Sequence, residues 1–184
     1  MDRDQVLREP DGTFRCRECG FRYALSGAQI AATCTAAVVD VGDTARAIHT
    51  PLRERRPAPA VWSPNAYCAH LAEATELIEL RVRRIATEDR PQLAGYDQDA
   101  AADDGGFDRV PMERSMPRIE AAVARFVSLV GGLGAADWQR IGVHEEVGEV
   151  RLVDIAHDMP HELTHHADDL RRIGAELAAD TRRR

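Results

Sequence analysis

The chain has 184 residues, with 24 Lys and Arg against 31 Asp and Glu and a formal net charge of −7. That length suits one ordinary domain with a short extension, and 44% hydrophobic residues with 30% charged exclude a disordered chain. No run of 18 apolar residues is present to span a membrane, the opening residues lack the apolar core of a secretory signal, and the acidic balance argues against a general nucleic-acid binder.

Residues 1–25 are polar and irregular and read as an arm around Cys16-Arg-Glu-Cys19-Gly20; residues 26–184 read as the helical domain. A first helix is expected from Ser26, its N-cap, to about His49. Residues 50–61 hold three prolines and form a loop. Ser63-Pro64 opens the second helix, with Ser63 as cap and Pro64 at the first helical position, and it should reach about Ala86. Residues 88–110 read as a long crossover loop. A third helix begins near Ser115 or Pro117 and stops at Gly131-Gly132, followed by a short helical turn over 135–140 and a turn at Gly148. The last helix runs from about Leu152 to Ala179, and Pro160 should kink it or delay its regular part. With aromatics at only 5% and Ala and Leu abundant, the fold class is all-α, a four-helix bundle.

Five of the seven histidines lie on two of these helices. His70 is on the second; His157, His161, His165 and His166 are on the fourth. From His161 to His165 is one turn plus about 40° and a rise of about 6 Å, so both imidazoles project from one face. With His70 they form a candidate metal triad, His70, His161 and His165, whose fourth position stays open to water or substrate. The alternative is a solvated polar face. Leu163, Leu170, Ile173 and Leu177 form a separate apolar stripe, so the helix has a packing face without its histidines. His157 continues the polar face and reads as a ligand, a base or a solvated residue; with Glu73 it makes up the candidate catalytic set. Glu73, Asp158 and Asp168 are candidates to orient the imidazoles. His166 reads as a core or interface residue, and His49 and His144 as surface or loop. Arg81 and Arg84, on the stripe of His70, are either an anion-binding pair or a salt-bridged face.

The segment from His157-Asp-Met-Pro-His161 through His165-His166 to Asp169 resembles the closing motif of the DinB-like superfamily of damage-inducible proteins and bacillithiol- and mycothiol-dependent enzymes. Trp62-Ser63-Pro64 with Ala69-His70-Leu71-Ala72-Glu73 is similar to its second-helix motif, and Glu88 to Asp97 to the loop that follows. The Cys-x-x-Cys-Gly-Phe start resembles an extension of an actinobacterial subgroup. The resemblance implies an up-down-down-up bundle, usually a homodimer, with His70, His161 and His165 holding a divalent metal, zinc or alternatively nickel. Trp62 and Tyr96 in these motifs join Arg81 and Arg84 as candidate cofactor-binding residues.

Cys16 and Cys19 have the spacing of a metal knuckle, but a structural zinc needs four ligands. Three readings stay open: a second zinc with further partners, a redox pair, or two plain thiols. Cys68 reads as a small buried residue. The expected function is a cytoplasmic metal-dependent thiol S-transferase that activates a low-molecular-weight thiol, with mycothiol a candidate, for attack on a small electrophile. The alternatives are a hydrolase using metal-bound hydroxide and a non-catalytic metal- or small-molecule-binding bundle. The expected partners are the thiol and the electrophile, with neither nucleic acid nor membrane.

Overall fold

A computed structural model describes residues 6–96 and 106–183. In chain order the elements are β1 (Val6–Arg8), β2 (Phe14–Cys16), α1 (Gly27–Ala47), α2 (Pro64–Thr87), β3 (Gln92–Leu93), α3 (Met112–Gly131), β4 (Ile141–His144), β5 (Gly148–Arg151), α4 (Leu152–Ala156) and α5 (Asp158–Arg183), with 3₁₀ turns at Thr50–Leu52, Phe107–Arg109 and Asp137–Gln139. The bundle is α1, α2, α3 and α5. Each of α1 and α2 packs on both α3 and α5, so α1 and α2 lie across a diagonal. Among the described residues no helix is long and apolar enough to cross a membrane.

Local sequence explains where α1 and α2 begin. The Ser26 hydroxyl accepts from the Gln29 backbone N–H, and the Gln29 side chain accepts in return from the Ser26 N–H, a reciprocal cap on α1. The buried Ser63 hydroxyl accepts from the Ala66 N–H at 3.1 Å and caps α2 ahead of Pro64. Replacing Ser63 with Ala should therefore lower stability by about 1 kcal/mol. The urea midpoint should fall while the slope of the transition stays unchanged; an unaltered midpoint would remove the cap from the account of α2.

The core follows helical spacing. Ile30, Cys34, Ala37, Val41 and Ala45 on α1 meet Ile119, Val123, Phe126 and Val130 on α3 and Leu163, Leu170, Ile173 and Leu177 on α5, all buried. Cys68 is fully buried, as expected of a small residue on the inner side of α2.

Several elements depart from the expected plan. Helix α3 starts at Met112, ahead of Ser115, and carries Pro117 inside it. The last helix is two: α4 ends at Ala156, and α5 starts at Asp158. Pro160 thereby falls in the first turn of α5, where a backbone N–H would have no helical partner, so its missing donor costs nothing. The crossover segment contains β3, and β4 and β5 form a hairpin beside it, giving a small sheet ordered β3-β4-β5 with β3 parallel and β5 antiparallel to β4. Strands of two to four residues are too short to give a periodic signal. Residues 97–105 of the expected crossover loop lie outside the described residues.

That sheet is fastened to the end of α2. Arg140 donates to the carbonyl oxygens of Ile85 and Glu88, each at 2.7 Å, so it satisfies groups that a helix end leaves unpaired. At Gly142 a Cβ would sit 2.9 Å from both Ile85 and Leu93 side chains, so only glycine lets β4 approach this closely. His144, read as a surface or loop residue, is instead buried on β4, and its Nδ1 accepts from the Glu146 N–H.

Candidate metal centres on the last helix

Helix α5 presents two neighbouring ligand-bearing stripes, because residues one apart are turned by about 100° and residues four apart nearly superpose. His161 and His165 make one stripe. Glu162 and His166, with Asp169 a turn further on, make the other. The N-terminal arm covers the first and α2 faces the second.

On the second stripe, His70 Nε2 lies 3.4 Å from Glu162 Oε2, and His166 Nε2 lies 3.3 Å from the same oxygen. Their donor atoms all fall within 4.8 Å of one another. His166 Nδ1–H donates to Asp169 Oδ2 at 2.9 Å, and Arg172 donates to the other Asp169 oxygen at 2.6 Å. Asp169 thereby fixes the ring orientation that aims His166 Nε2 at Glu162. His70 is buried, and among the described residues its Nδ1 has no hydrogen-bond partner. Burial pushes the Glu162 carboxyl up, but His161, His166 and His70 around it hold it well below the usual carboxylate range.

Aromatic rings wall this group. Trp62 lies 5.2 Å from the His70 ring, Tyr67 lies 5.4 Å from His166, and Tyr96 stacks on His70 at 6.1 Å, all between centroids. The Tyr96 hydroxyl donates to Glu73 Oε2 at 3.0 Å. Trp62, Tyr96 and Glu73, all singled out in the sequence, thus belong to the surroundings of His70.

On the first stripe, Cys16 and Cys19 from the arm come within 4.8 Å of His161 and His165. Burial pushes the Cys19 thiol up, yet the adjoining imidazoles of His161 and His165 bring it down to about 5. His165 is raised to about 9, chiefly by Cys19. Burial presses the His161 imidazole down, but Cys19 and Glu162 beside it raise it to about 11. With protons on it, this cluster is a thiolate–imidazolium pair.

The three histidines expected as one triad are therefore divided: His70 joins Glu162 and His166, while His161 and His165 join the cysteines. Two carboxylates link the groups. Glu162 Oε1 lies 3.5 Å from His161 Nδ1 while its Oε2 serves His70 and His166, and Asp169 Oδ2 lies 3.5 Å from His165 Nε2 as well as bonding His166.

Other candidates sit elsewhere. His157 is buried, its Nδ1–H donates to the Val153 carbonyl at 2.7 Å, and its Nε2 accepts from the Leu25 N–H at 3.0 Å. Both ring nitrogens are spent on backbone, which makes it a strut between arm and bundle. Arg81 donates to the Ala94 carbonyl, and Arg84 makes a bidentate pair with Glu88 and donates to the Gln92 carbonyl; both arginines tie α2 to the segment that follows it. The carboxylates in contact with His166 are Asp169 and Glu162, Asp169 also lies beside His165, and Asp168 pairs with Arg171. The missed signal was the pair Glu162 and His166, at the same four-residue spacing as His161 and His165 but one residue later.

A family model described as the DinB superfamily matches residues 45–170. A protein of Oceanobacillus iheyensis whose name proposes a metal-dependent hydrolase is 29% identical over 91 residues, half of this chain and 52% of its own length. The match thus spans about half of that curated relative. Among solved structures, YfiT from Bacillus subtilis, described as a probable metal-dependent hydrolase with an unusual four-helix bundle topology, superposes with a TM-score of 0.71 at 16% identity over 90% of this chain and 95% of its own. A His-to-Ala variant of a mycothiol-dependent maleylpyruvate isomerase gives 0.64 at 11% identity over 79% of this chain and 61% of its own.

Proposed function

The chain belongs to the DinB superfamily, and from that premise we propose that it is a metal-dependent enzyme whose working centre is His70, Glu162 and His166. The observation that carries this reading is the convergence of two imidazole nitrogens on one carboxylate oxygen at 3.4 and 3.3 Å. Two imidazoles and one carboxylate are the ligand set of catalytic zinc sites, which keep a coordination position open, rather than of closed structural ones. The Asp169 carboxylate behind His166 fits a group that needs oriented, deprotonated ligands. Bound there, a divalent cation supplies positive charge that lowers the pKa of a thiol or a water at the open position.

The chain's own residues then do the positioning. Asp169 keeps a proton on His166 Nδ1, leaving Nε2 free to bind. Trp62 and Tyr96 beside His70 and Tyr67 beside His166 keep water from the flanks of the centre, which strengthens charge–charge interactions there. The Tyr96 hydroxyl holds Glu73 beside the site, where it can accept a proton from an incoming nucleophile. The reaction we propose is attack of a low-molecular-weight thiol on a small electrophile, a reading supported by the likeness to the mycothiol-dependent isomerase. Hydrolysis is the second reading, supported by the hydrolase descriptions of the other two relatives.

The test has two parts. Purified protein should carry divalent metal, and His70→Ala should lose the equivalent held at this centre. A panel of electrophiles is then assayed with and without added thiol. Turnover that requires thiol supports the transferase; thiol-independent hydrolysis replaces it with the second reading. Equal metal content in wild type and variant would overturn the site assignment.

A further inference from the structure

The four ligands at the arm form a set that the proposed working centre does not use. Cys16 and Cys19 lie on a tight turn: Gly20 N–H donates to the Cys16 carbonyl at 3.1 Å, Cys16 N–H donates to the Phe21 carbonyl at 2.9 Å, and Gly20 takes a φ of +74°. That positive φ is open to glycine without strain. The turn brings both sulfurs to His161 and His165 on α5, all four donor atoms within 4.8 Å of one another.

We propose that Cys16, Cys19, His161 and His165 form a second, closed cation site of the zinc class that staples the N-terminal arm to α5. A tetrahedral zinc with bonds of about 2.0–2.3 Å holds its donors about 3.3–3.8 Å apart, and Cys16 Sγ already stands 3.8 Å from His165 Nδ1. Among the described residues His161 Nε2 is buried without a hydrogen-bond partner, a cost the chain bears unless that atom is used for something else. The second nitrogen of each imidazole faces a carboxylate: His161 Nδ1 faces Glu162, and His165 Nε2 faces Glu18 and Asp169. This is the arrangement that orients metal-bound histidines. Two soft thiolates and two imidazoles make a complete set of four, the pattern of structural rather than catalytic zinc.

The arm also needs such a fastening. Its sheet is two strands of three residues each, too little to fold alone. Among the described arm residues only Val6 and Cys16 are buried. Its other anchors are the Phe21 and Tyr23 rings packed 5.5 and 5.2 Å from His161 and the Leu25 backbone on His157. A cation at the cysteines converts these marginal contacts into one folded unit.

The experiment uses the full chain loaded with zinc or cobalt. Cobalt-loaded wild type should show thiolate-to-cobalt charge transfer and intense tetrahedral ligand-field absorption. His70→Ala should keep both signals, whereas the double variant Cys16→Ser, Cys19→Ser should lose them together with one equivalent of metal. On unmutated protein, zinc should block alkylation of Cys16 and Cys19 by iodoacetamide, mapped by peptide mass, and a chelator should restore it. That arm holds even if the double variant fails to fold. Absence of thiolate bands in the cobalt protein, or alkylation equally fast with and without zinc, overturns the proposal. Neither result bears on the His70 centre, so the two assignments stand or fall separately.

Discussion

Changing Glu162 to Gln should lower metal affinity at the His70 centre and turnover by at least about 100-fold. Removing a carboxylate that only orients a ligand typically costs about 10–100-fold, and Glu162 stands in the donor set itself, 3.3 and 3.4 Å from two imidazoles. The amide keeps the shape but removes the negative charge, and it points a donor or a weaker acceptor where His70 and His166 require an anion. Competition with a chromophoric chelator reads the affinity, and the electrophile panel reads the turnover. The cysteine-cobalt signal should survive, because Glu162 only backs His161 there. Unchanged affinity at the His70 centre would mean that the carboxylate is an ordinary partly buried ion-pair member.

A second large effect is expected in pH. Stripped of metal by a chelator and kept reduced, the protein should be most stable around pH 6.5: below it the Cys19 contribution fades down to about pH 5, and above it the losses of His165, through about 9, and of His161, through about 11, together outweigh what Cys19 gains. The Cys19 thiol titrates near 5 in the folded chain against an ordinary 9.0. A depressed acid contributes stability that is complete above its unfolded value and is lost as pH falls through its folded one, here about 5. His165 titrates near 9 against an ordinary 6.5. A raised base contributes stability that is complete below 6.5 and is lost as pH rises through about 9. Both shifts come mainly from the same thiolate–imidazolium contacts, so the interval between them is where the pair exists. Urea midpoints across this range should trace a bell that Cys19→Ser flattens. A flat profile in the unmutated, metal-stripped chain would show that the arm does not depend on the pair for its docking. Zinc should widen the maximum on the acid side by competing with protons for the same ligands.

The bundle was legible because its signals are local. Ser26 and Ser63-Pro64 mark helix starts through their own hydrogen bonds and fixed φ, and Leu163, Leu170, Ile173 and Leu177 mark a buried face by spacing alone. The hairpin of β4 and β5 was not, because four-residue strands leave too few alternations to separate from loop. Pro160 was ambiguous for a similar reason: whether it kinks a helix or opens one depends on where the preceding turn stops, and the stop at His157 is set by that ring's bonds to Val153 and to Leu25 of the arm.

By itself the sequence determined that His70 and the histidines of the last helix are concentrated where a bundle can bring them together, and that a Cys-x-x-Cys knuckle precedes the first helix. It could not decide which imidazoles share a ligand group. Residues 161 and 165 and residues 162 and 166 have the same spacing on adjacent stripes of one helix, so either pair could face α2. Only the tertiary structure chose, by laying the arm over the His161 and His165 side and turning Glu162 and His166 toward His70. The physical reason is competition for faces: a helix has one orientation about its axis, and burying Leu163, Leu170, Ile173 and Leu177 fixes it. Once that apolar stripe is in the core, the cysteines and α2 each receive the side that remains to them.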